Sequence, residues 1–168
     1  MPRDAFDLER FTPYLVNRVG LGIAQAFGRE LVGHGLTVKT WRILSVAHHC
    51  GELTQRQPAG HTSLDPSTLS RLVASLARRG LLVTSRHASD SRATSTRLSP
   101  EGRAHVEALI PAARWYERQI QRGLSEADVL KLQEVLRGMY RSLRDLPARP
   151  GGPGAAALRR RGRGRSAG

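Results

Sequence analysis

The sequence predicts a mainly α-helical fold with one small β-hairpin, and three observations lead to this prediction. Apolar residues recur at three- and four-residue steps over most of the chain, which is typical of amphipathic helices. The pairs Asp65-Pro66 and Ser99-Pro100 mark helix starts, because an Asp or Ser caps the helix and proline at the first helical position loses no hydrogen bond. Two short β-prone runs, 81–86 and 94–98, enclose a polar loop and predict a hairpin with a long tip.

The N-terminal segment predicts two helices that follow each other closely. Gly33-His34-Gly35 is expected to end the first helix. Thr37 is a good N-cap for the second helix, which carries Trp41 inward and should stop at Gly51. The first helix is indicated by a continuous apolar stripe, which comprises Leu8, Phe11, Leu15, Val19, Ile23, Phe27 and Leu31.

A third helix is expected after Thr54, but its sequence opposes a regular helix. Pro58 would stand where the first N–H bond within the helix should form, and its ring would crowd the Thr54 carbonyl. Gly60 lowers the helix propensity further. We therefore expect this helix to be short or distorted.

The helix that begins after Asp65 combines an apolar stripe with a polar and basic remainder. Its stripe is formed by Leu69, Leu72, Val73 and Leu76. Arg78 and Arg79 suit the negative end of the helix dipole, and Gly80 should terminate the helix. Other faces then present Ser67, Thr68, Ser70 and Arg71.

Two further helices are expected after the hairpin, followed by a tail. Ser99-Pro100 starts the first, and Ser125 with Asp128 resembles a capping box for the second. From Pro147 onward the composition is Pro, Gly, Ala and Arg without periodicity, which predicts disorder. The terminal helices carry longer apolar stripes than one small domain can cover, so we expect a two-fold dimer.

The order of these elements predicts a winged helix-turn-helix flanked by N- and C-terminal dimerisation helices. We assign residues 1–35 to an N-terminal dimerisation helix and 36–99 to the DNA-binding domain. Residues 100–146 form the C-terminal dimerisation helices, and 147–168 form a disordered basic tail.

Composition narrows the class of protein. Lys and Arg number 27 against 14 Asp and Glu, and the formal charge of +13 favours a polyanionic partner such as nucleic acid or an acidic membrane. Cys50 is the single cysteine, which excludes an intramolecular disulfide and fits a reducing cytoplasm. No signal peptide or bilayer-spanning run is found, so no membrane partner is expected. Catalytic motifs are absent, so we predict neither an enzyme nor a cofactor.

The sequence resembles the MarR family of bacterial transcriptional regulators over roughly residues 6–146. Each matching motif is weak alone, but their order and spacing together are specific. One departure is Pro58-Ala59-Gly60, where family members usually have Leu-Ala plus a polar residue. The matching motifs are Gly35-Leu36-Thr37, Trp41-Arg42-Ile43-Leu44, Leu53-Thr54, Asp65-Pro66-Ser67-Thr68-Leu69-Ser70-Arg71-Leu72, Arg79-Gly80-Leu81-Leu82, Asp90-Ser91-Arg92 and Leu98-Ser99-Pro100-Glu101-Gly102.

The resemblance implies a triangular homodimer that binds a pseudo-palindromic operator in duplex DNA. The helix after Asp65 would lie in the major groove, and Arg92, oriented by Asp90, would enter the minor groove. Arg86 and Arg97 suit phosphate contacts, and Arg86 equally suits the lining of a ligand cleft. Within the major groove we expect contacts from Ser67, Thr68, Ser70 and Arg71.

Two other features invite a functional reading. Trp41 is either a core anchor or part of a ligand cleft, since in the family the helix that carries it faces the cleft between the dimer and DNA-binding regions. His48, His49 and Cys50 look like a metal cluster, but consecutive helical residues point in different directions and do not converge on one ion. We therefore predict no metal site.

We predict a homodimeric, sequence-specific regulator of transcription that acts at the bacterial nucleoid in the cytoplasm. It is expected to be a repressor whose DNA affinity responds to a small molecule, such as an aromatic acid or its derivative. One alternative is a non-specific architectural DNA-binding protein driven by the tail and the net charge. Another is a redox or metal sensor on the same fold that uses Cys50.

Overall fold

Five long helices and a three-stranded sheet make up the part of the chain that the computed structural model describes, residues 6–54, 64–86 and 94–146. The predicted mainly α-helical fold with a small β-hairpin wing is confirmed. The helices are α1 (Thr12–Gly33), α2 (Val38–Cys50), α3 (Pro66–Arg78), α4 (Pro100–Ile120) and α5 (Glu126–Arg144), and the strands are β1 (Glu52–Thr54), β2 (Leu82–Arg86) and β3 (Thr94–Leu98). None of the helices in these ranges has the length and apolarity needed to cross a bilayer.

The N-terminal helix begins later than the apolar stripe predicts, so the expectation of one helix from Leu8 is wrong. A single 3-10 turn spans Leu8–Arg10, Phe11 is extended, and α1 begins at Thr12. The physical reason is Pro13, which has no N–H to bond the Glu9 carbonyl and whose ring would clash with it in a continuous helix. Proline is tolerated in the first turn, so the helix starts again there.

The sheet contains a strand that the sequence did not indicate. Its order is β1-β3-β2, with both pairs antiparallel, and Leu53 on β1 lies opposite Thr96 on β3. Three residues are too short for an alternating pattern to be recognised. The helix expected after Thr54, and with it the distortion expected at Pro58, lies outside the described residues, as does the tail from 147 onward.

The described residues divide into two compact units, one up to Ile120 and one from Gln121. The core of the first unit draws on α1, α2, α3, α4 and the sheet, and its most deeply buried side chains include Leu31, Ile43, Leu44, Leu53, Leu76, Val106 and Leu109. The stripe predicted for the helix after Asp65 points into this core: Leu69 and Leu76 are buried, and Leu72 and Val73 pack against the core cluster.

The second unit contains α5, which begins at the predicted capping box. The Ser125 hydroxyl accepts a hydrogen bond from the Asp128 N–H at 3.2 Å, and the Asp128 carboxylate accepts one from the Ser125 N–H at 3.2 Å. The Ser125 hydroxyl and N–H lower the pKa of Asp128, because both stabilise its ionised form. Large apolar side chains remain exposed along this helix, among them Leu130, Leu132, Val135, Leu136 and Leu143.

Candidate DNA-binding surface

The start of α3 is held by Asp65, as the sequence predicts. Its backbone is extended (φ −65°, ψ 149°), and its carboxylate accepts hydrogen bonds from the Thr68 N–H at 2.9 Å and the Ser67 hydroxyl at 2.7 Å. Bonds from the Thr68 side chain and N–H, and then from the Ser67 hydroxyl, hold the pKa of Asp65 well below its usual range. The cap therefore stays ionised, and the first turn of α3 is ordered.

An exposed face of α3 runs the length of the helix opposite its buried stripe. Ser67, Ser70 and Arg71 occupy its first half, and Ala74 and Arg78 continue it at three- and four-residue steps. The face is polar and basic apart from the small Ala74. Such a helix face suits the major groove, where hydroxyl and guanidinium groups meet base edges and phosphates.

Arg71 lies back over the first turn of its own helix. Its Nε donates to the Ser67 carbonyl at 3.4 Å, and its Nη2 donates to the Thr68 hydroxyl at 3.4 Å. Both bonds are at the long end of the accepted range, so they hold the guanidinium weakly. The structure thus brings Ser67, Thr68 and Arg71 together, with the guanidinium free to exchange these bonds for stronger ones.

The wing is described at its base and not at its tip. In the β2–β3 pair, Leu82 lies opposite Leu98 and Arg86 lies opposite Thr94. Arg86 is thus the last residue of β2, but its side chain lies outside the described part of the structure, and so do Asp90 and Arg92. The hairpin predicted between 81 and 98 is confirmed, whereas the roles of its tip residues stay a prediction.

Arg97 is exposed on β3, and the strand register places it between two neighbours. Glu52 on β1 and Val83 on β2 both lie directly opposite it. Oppositely charged residues in this cross-strand arrangement attract each other. A phosphate contact by Arg97 would therefore compete with the Glu52 carboxylate.

Trp41 belongs to an aromatic cluster that joins three helices. The Phe27 ring on α1 contacts the Trp41 ring on α2 edge to face, with centroids 5.4 Å apart, and the Tyr116 ring on α4 at 5.5 Å. Trp115 extends the cluster to the surface, with its ring 4.9 Å from that of Tyr116 and half of the residue exposed. Sequence reasoning found only Trp41, because Phe27 and Tyr116 occupy regular apolar positions that periodicity alone assigns to a core.

The residues at the end of α2 do not come together around one point. The His48 Nε2 atom lies 3.7 Å from a Glu107 carboxylate oxygen on α4, while His49 and Cys50 are exposed. Within the described ranges, no three His, Cys, Asp or Glu residues are grouped as metal ligands would be. His48 thus joins α2 to α4 rather than pairing with its two sequence neighbours.

Known proteins resemble this chain in sequence and in fold. A sequence model of the MarR family matches residues 34–93, which begin directly after α1 and end within the segment between β2 and β3. The HTH-type transcriptional repressor IacR of Pseudomonas putida is 28% identical over 143 residues, which are 85% of this chain and 86% of that protein.

Solved structures of transcriptional regulators have the same fold. A probable transcriptional regulator from Pseudomonas aeruginosa is 33% identical, with a TM-score of 0.63 over 82% of this chain and 99% of the other. CouR from Rhodococcus jostii RHA1, solved bound to p-coumaroyl-CoA, is 25% identical, with a TM-score of 0.71 over 81% of this chain and 96% of the other.

Proposed function

Because the chain belongs to the MarR family of DNA-binding transcriptional regulators, we propose that it is a homodimeric repressor that binds a pseudo-palindromic operator. It releases the operator when it binds a small aromatic acid or the thioester of one, and it acts at the nucleoid in the cytoplasm. The observation that carries this proposal is the exposed polar face of α3, with an ionised cap at its start and a guanidinium held only by two 3.4 Å bonds.

On the DNA, α3 lies in the major groove with its N-terminal half towards the bases. Ser67, Thr68 and Ser70 donate to phosphates or base edges, and Arg71 leaves the Ser67 carbonyl to form a two-pronged contact with a guanine. Arg92, oriented by Asp90, enters the neighbouring minor groove, and Arg86 contacts a phosphate at the base of the wing. Base contacts of this kind make the protein sequence-specific.

The dimer is held by α1, which lies within residues 1–35, and by α4 and α5, which lie within residues 100–146. Support comes from the apolar side chains that the single chain leaves exposed on α1 and α5, among them Leu15, Val19, Leu132 and Val135, and from Phe11 directly before α1. Exposed stripes of this length are unusual for a monomer, and a second copy of the chain would bury them. Two-fold symmetry then matches the two half-sites of a pseudo-palindrome.

The effector binds beside Trp41, at the aromatic cluster that joins α1, α2 and α4. Edge-to-face rings at Phe27 and Tyr116, with Trp115 half exposed beside them, offer a flat aromatic molecule favourable contacts. The choice of an aromatic acid or thioester is supported by CouR, which was solved with p-coumaroyl-CoA. A ligand at this junction would alter how three helices pack.

The test is selection of a duplex from a random pool by the full-length chain, followed by fluorescence anisotropy against the selected duplex and a scrambled one. A specific repressor prefers the selected duplex by more than about 10³-fold. Equal affinities would favour the architectural alternative. Adding aromatic acids and thioesters to the complex should release the selected duplex. Release by an oxidant or a metal ion instead, lost in Cys50→Ser, would favour the redox or metal-sensor alternative.

A further inference from the structure

Three elements meet at Ser99, a residue that is almost fully buried between β3 and α4. On one side lies the end of α3, where Gly80 has a positive φ of 74° and the Leu81 N–H bonds the Leu76 carbonyl at 3.0 Å. This is the glycine-dependent helix ending in which the chain turns sharply away from the helix. It leaves the carbonyls of Gly80 and Leu81 available to other partners.

Ser99 forms hydrogen bonds with both of these carbonyls and with a third backbone group. Its N–H donates to the Leu81 carbonyl at 3.2 Å, and its hydroxyl donates to the Gly80 carbonyl. The same hydroxyl accepts from the Gly102 N–H at 2.9 Å, which caps the first turn of α4. One side chain therefore connects the end of the candidate recognition helix to the start of the next long helix.

Gly102 brings the two backbones into direct contact. A Cβ placed on this residue would lie 2.0 Å from the Leu81 carbonyl oxygen and 2.9 Å from the Leu81 carbonyl carbon. Only glycine permits this approach, because a real Cβ does not come so close to backbone atoms. We call Gly80, Leu81, Ser99 and Gly102 the Ser99 joint.

We infer that the Ser99 joint is a positioning device for DNA binding: Ser99 keeps α3, the base of the wing and α4 in one fixed mutual orientation. The inference rests on the proposed function and deepens it. A contact surface for DNA must be held to within about 0.5 Å, and the residues that hold it need not touch the ligand. At this joint α3 ends and both wing strands reach their base, so a loosened Ser99 would tilt the recognition helix and the wing together relative to α4.

The inference goes beyond helix capping, because a cap needs only the bond from the Gly102 N–H. Ser99→Asp separates the two roles: aspartate is a good N-cap, but an ionised carboxylate cannot donate to the Gly80 carbonyl. Ser99→Ala removes both bonds, and Ser99→Thr retains both. Ser125→Ala is the matched control, because it removes a serine cap from α5 in the other compact unit.

The experiment measures the dissociation constant of each full-length variant for the duplex selected by the wild-type chain, at a temperature where circular dichroism shows every variant folded. Ser99→Ala and Ser99→Asp should each raise it about tenfold, whereas Ser99→Thr and Ser125→Ala should stay within about twofold of wild type. Wild-type affinity in both Ser99→Ala and Ser99→Asp would overturn the inference. So would normal affinity in Ser99→Asp alone, which would reduce Ser99 to a cap. Absence of any selected duplex for the wild-type chain would instead overturn the proposed function.

A second measurement needs no substitution and holds even if the Ser99 variants do not fold. Amide hydrogen exchange of the wild-type protein should show the N–H groups of Leu81, Ser99 and Gly102 exchanging as one cooperative group that is further protected by the selected duplex. The Asp128 N–H at the start of α5 should not respond to the duplex. If the Leu81 and Gly102 N–H groups exchanged independently of each other, the inference would be contradicted. It would also be contradicted if the duplex protected the Asp128 N–H as much as it protects these two.

Discussion

Asp65-Pro66 and Ser99-Pro100 begin two helices with the same local chemistry, but the two starts lie in opposite surroundings. Asp65 is exposed, and its carboxylate accepts hydrogen bonds from Thr68 and Ser67, both within its own first turn. Ser99 is buried and bonds the end of α3 and the start of α4 together. The cap at Asp65 leaves a face of α3 exposed to a ligand, whereas the cap at Ser99 holds the start of α4 against the end of α3.

The difference shows that a helix cap is a local signal whose role depends on the remaining hydrogen-bonding capacity of the capping group. A carboxylate only accepts bonds, so Asp65 stabilises the exposed N–H and hydroxyl groups around it. A hydroxyl both donates and accepts, so Ser99 can satisfy a buried carbonyl on one side and a buried N–H on the other. In each start the choice of residue type fits its surroundings.

The largest effect is expected from Gly102→Ala, which breaks the buried start. The added Cβ would overlap the Leu81 carbonyl oxygen, so α4 must move away from the end of α3. Overpacking of this kind should lower the free energy of unfolding by about 3 kcal/mol and the melting temperature by about 10 °C. Gly20→Ala on α1 is the control, because nothing lies within 4 Å of its Cβ position, and it should leave the melting temperature unchanged or raise it. Equal melting temperatures for the two variants in differential scanning calorimetry would mean that the close approach at Gly102 does not exist.

A smaller effect, on DNA binding rather than on folding, is expected when the arginines near the two helix starts are replaced one at a time. Arg71 on α3 and Arg103 on α4 both lie exposed in the first half of their helices, and Arg103 lies 3.9 Å from Glu107 on its own helix. Arg71→Ala should weaken binding to the selected duplex by about 1–3 kcal/mol, because a two-pronged base contact is lost. Arg103→Ala should change the affinity by less than twofold. The comparison is made by fluorescence anisotropy at one fixed salt concentration, and an equal loss in both variants would assign the effect to general charge.

The local chemistry of both starts could be predicted from the sequence, because caps and first-turn prolines act within a few residues. Asp65, Ser99 and the Ser125–Asp128 box are all confirmed as caps on this basis. The helix expected from Leu8 is wrong for a related reason: the apolar spacing continues through Pro13, but this spacing does not reflect the backbone bond that a proline removes.

What the sequence could not supply depends on contacts between distant segments. Nothing local distinguishes Gly102, whose neighbour across the joint is Leu81, or the three residues of β1, which form a strand only because β3 lies beside them. The aromatic cluster is similar, since Phe27 and Tyr116 are far apart in the chain and meet only in the folded core. The candidate DNA-binding face could be predicted because one helix carries it, whereas the joint behind it could not.

Acid should weaken the cap at the first start, because the Asp65 carboxylate titrates, whereas the Ser99 hydroxyl that caps the second start does not. Its folded-state pKa lies below the ordinary value, so its contribution is complete above the unfolded pKa of about 4 and is lost as the pH falls towards the folded pKa. Asp65→Ser keeps a cap without a charge and copies the second start. At pH 7 the wild type should melt higher than this variant, and the difference should shrink as the pH falls from about 5 to about 3. A constant difference across this range would show that the charge of Asp65 does not stabilise α3.

The smallest effect is expected where the two starts are alike, at Pro66 and Pro100. Each stands at the first position of its helix, where the backbone N–H would have no partner within the helix, so replacing it by alanine removes no native bond. The loss comes only from the greater freedom of the unfolded chain, about 0.5–1 kcal/mol for each of Pro66→Ala and Pro100→Ala. Urea titrations of the two variants should therefore give nearly equal shifts in midpoint with unchanged slopes. A clearly larger shift for Pro100→Ala would mean that the ring of this proline also packs against the Ser99 joint, and the difference between the two starts would then extend to the proline itself.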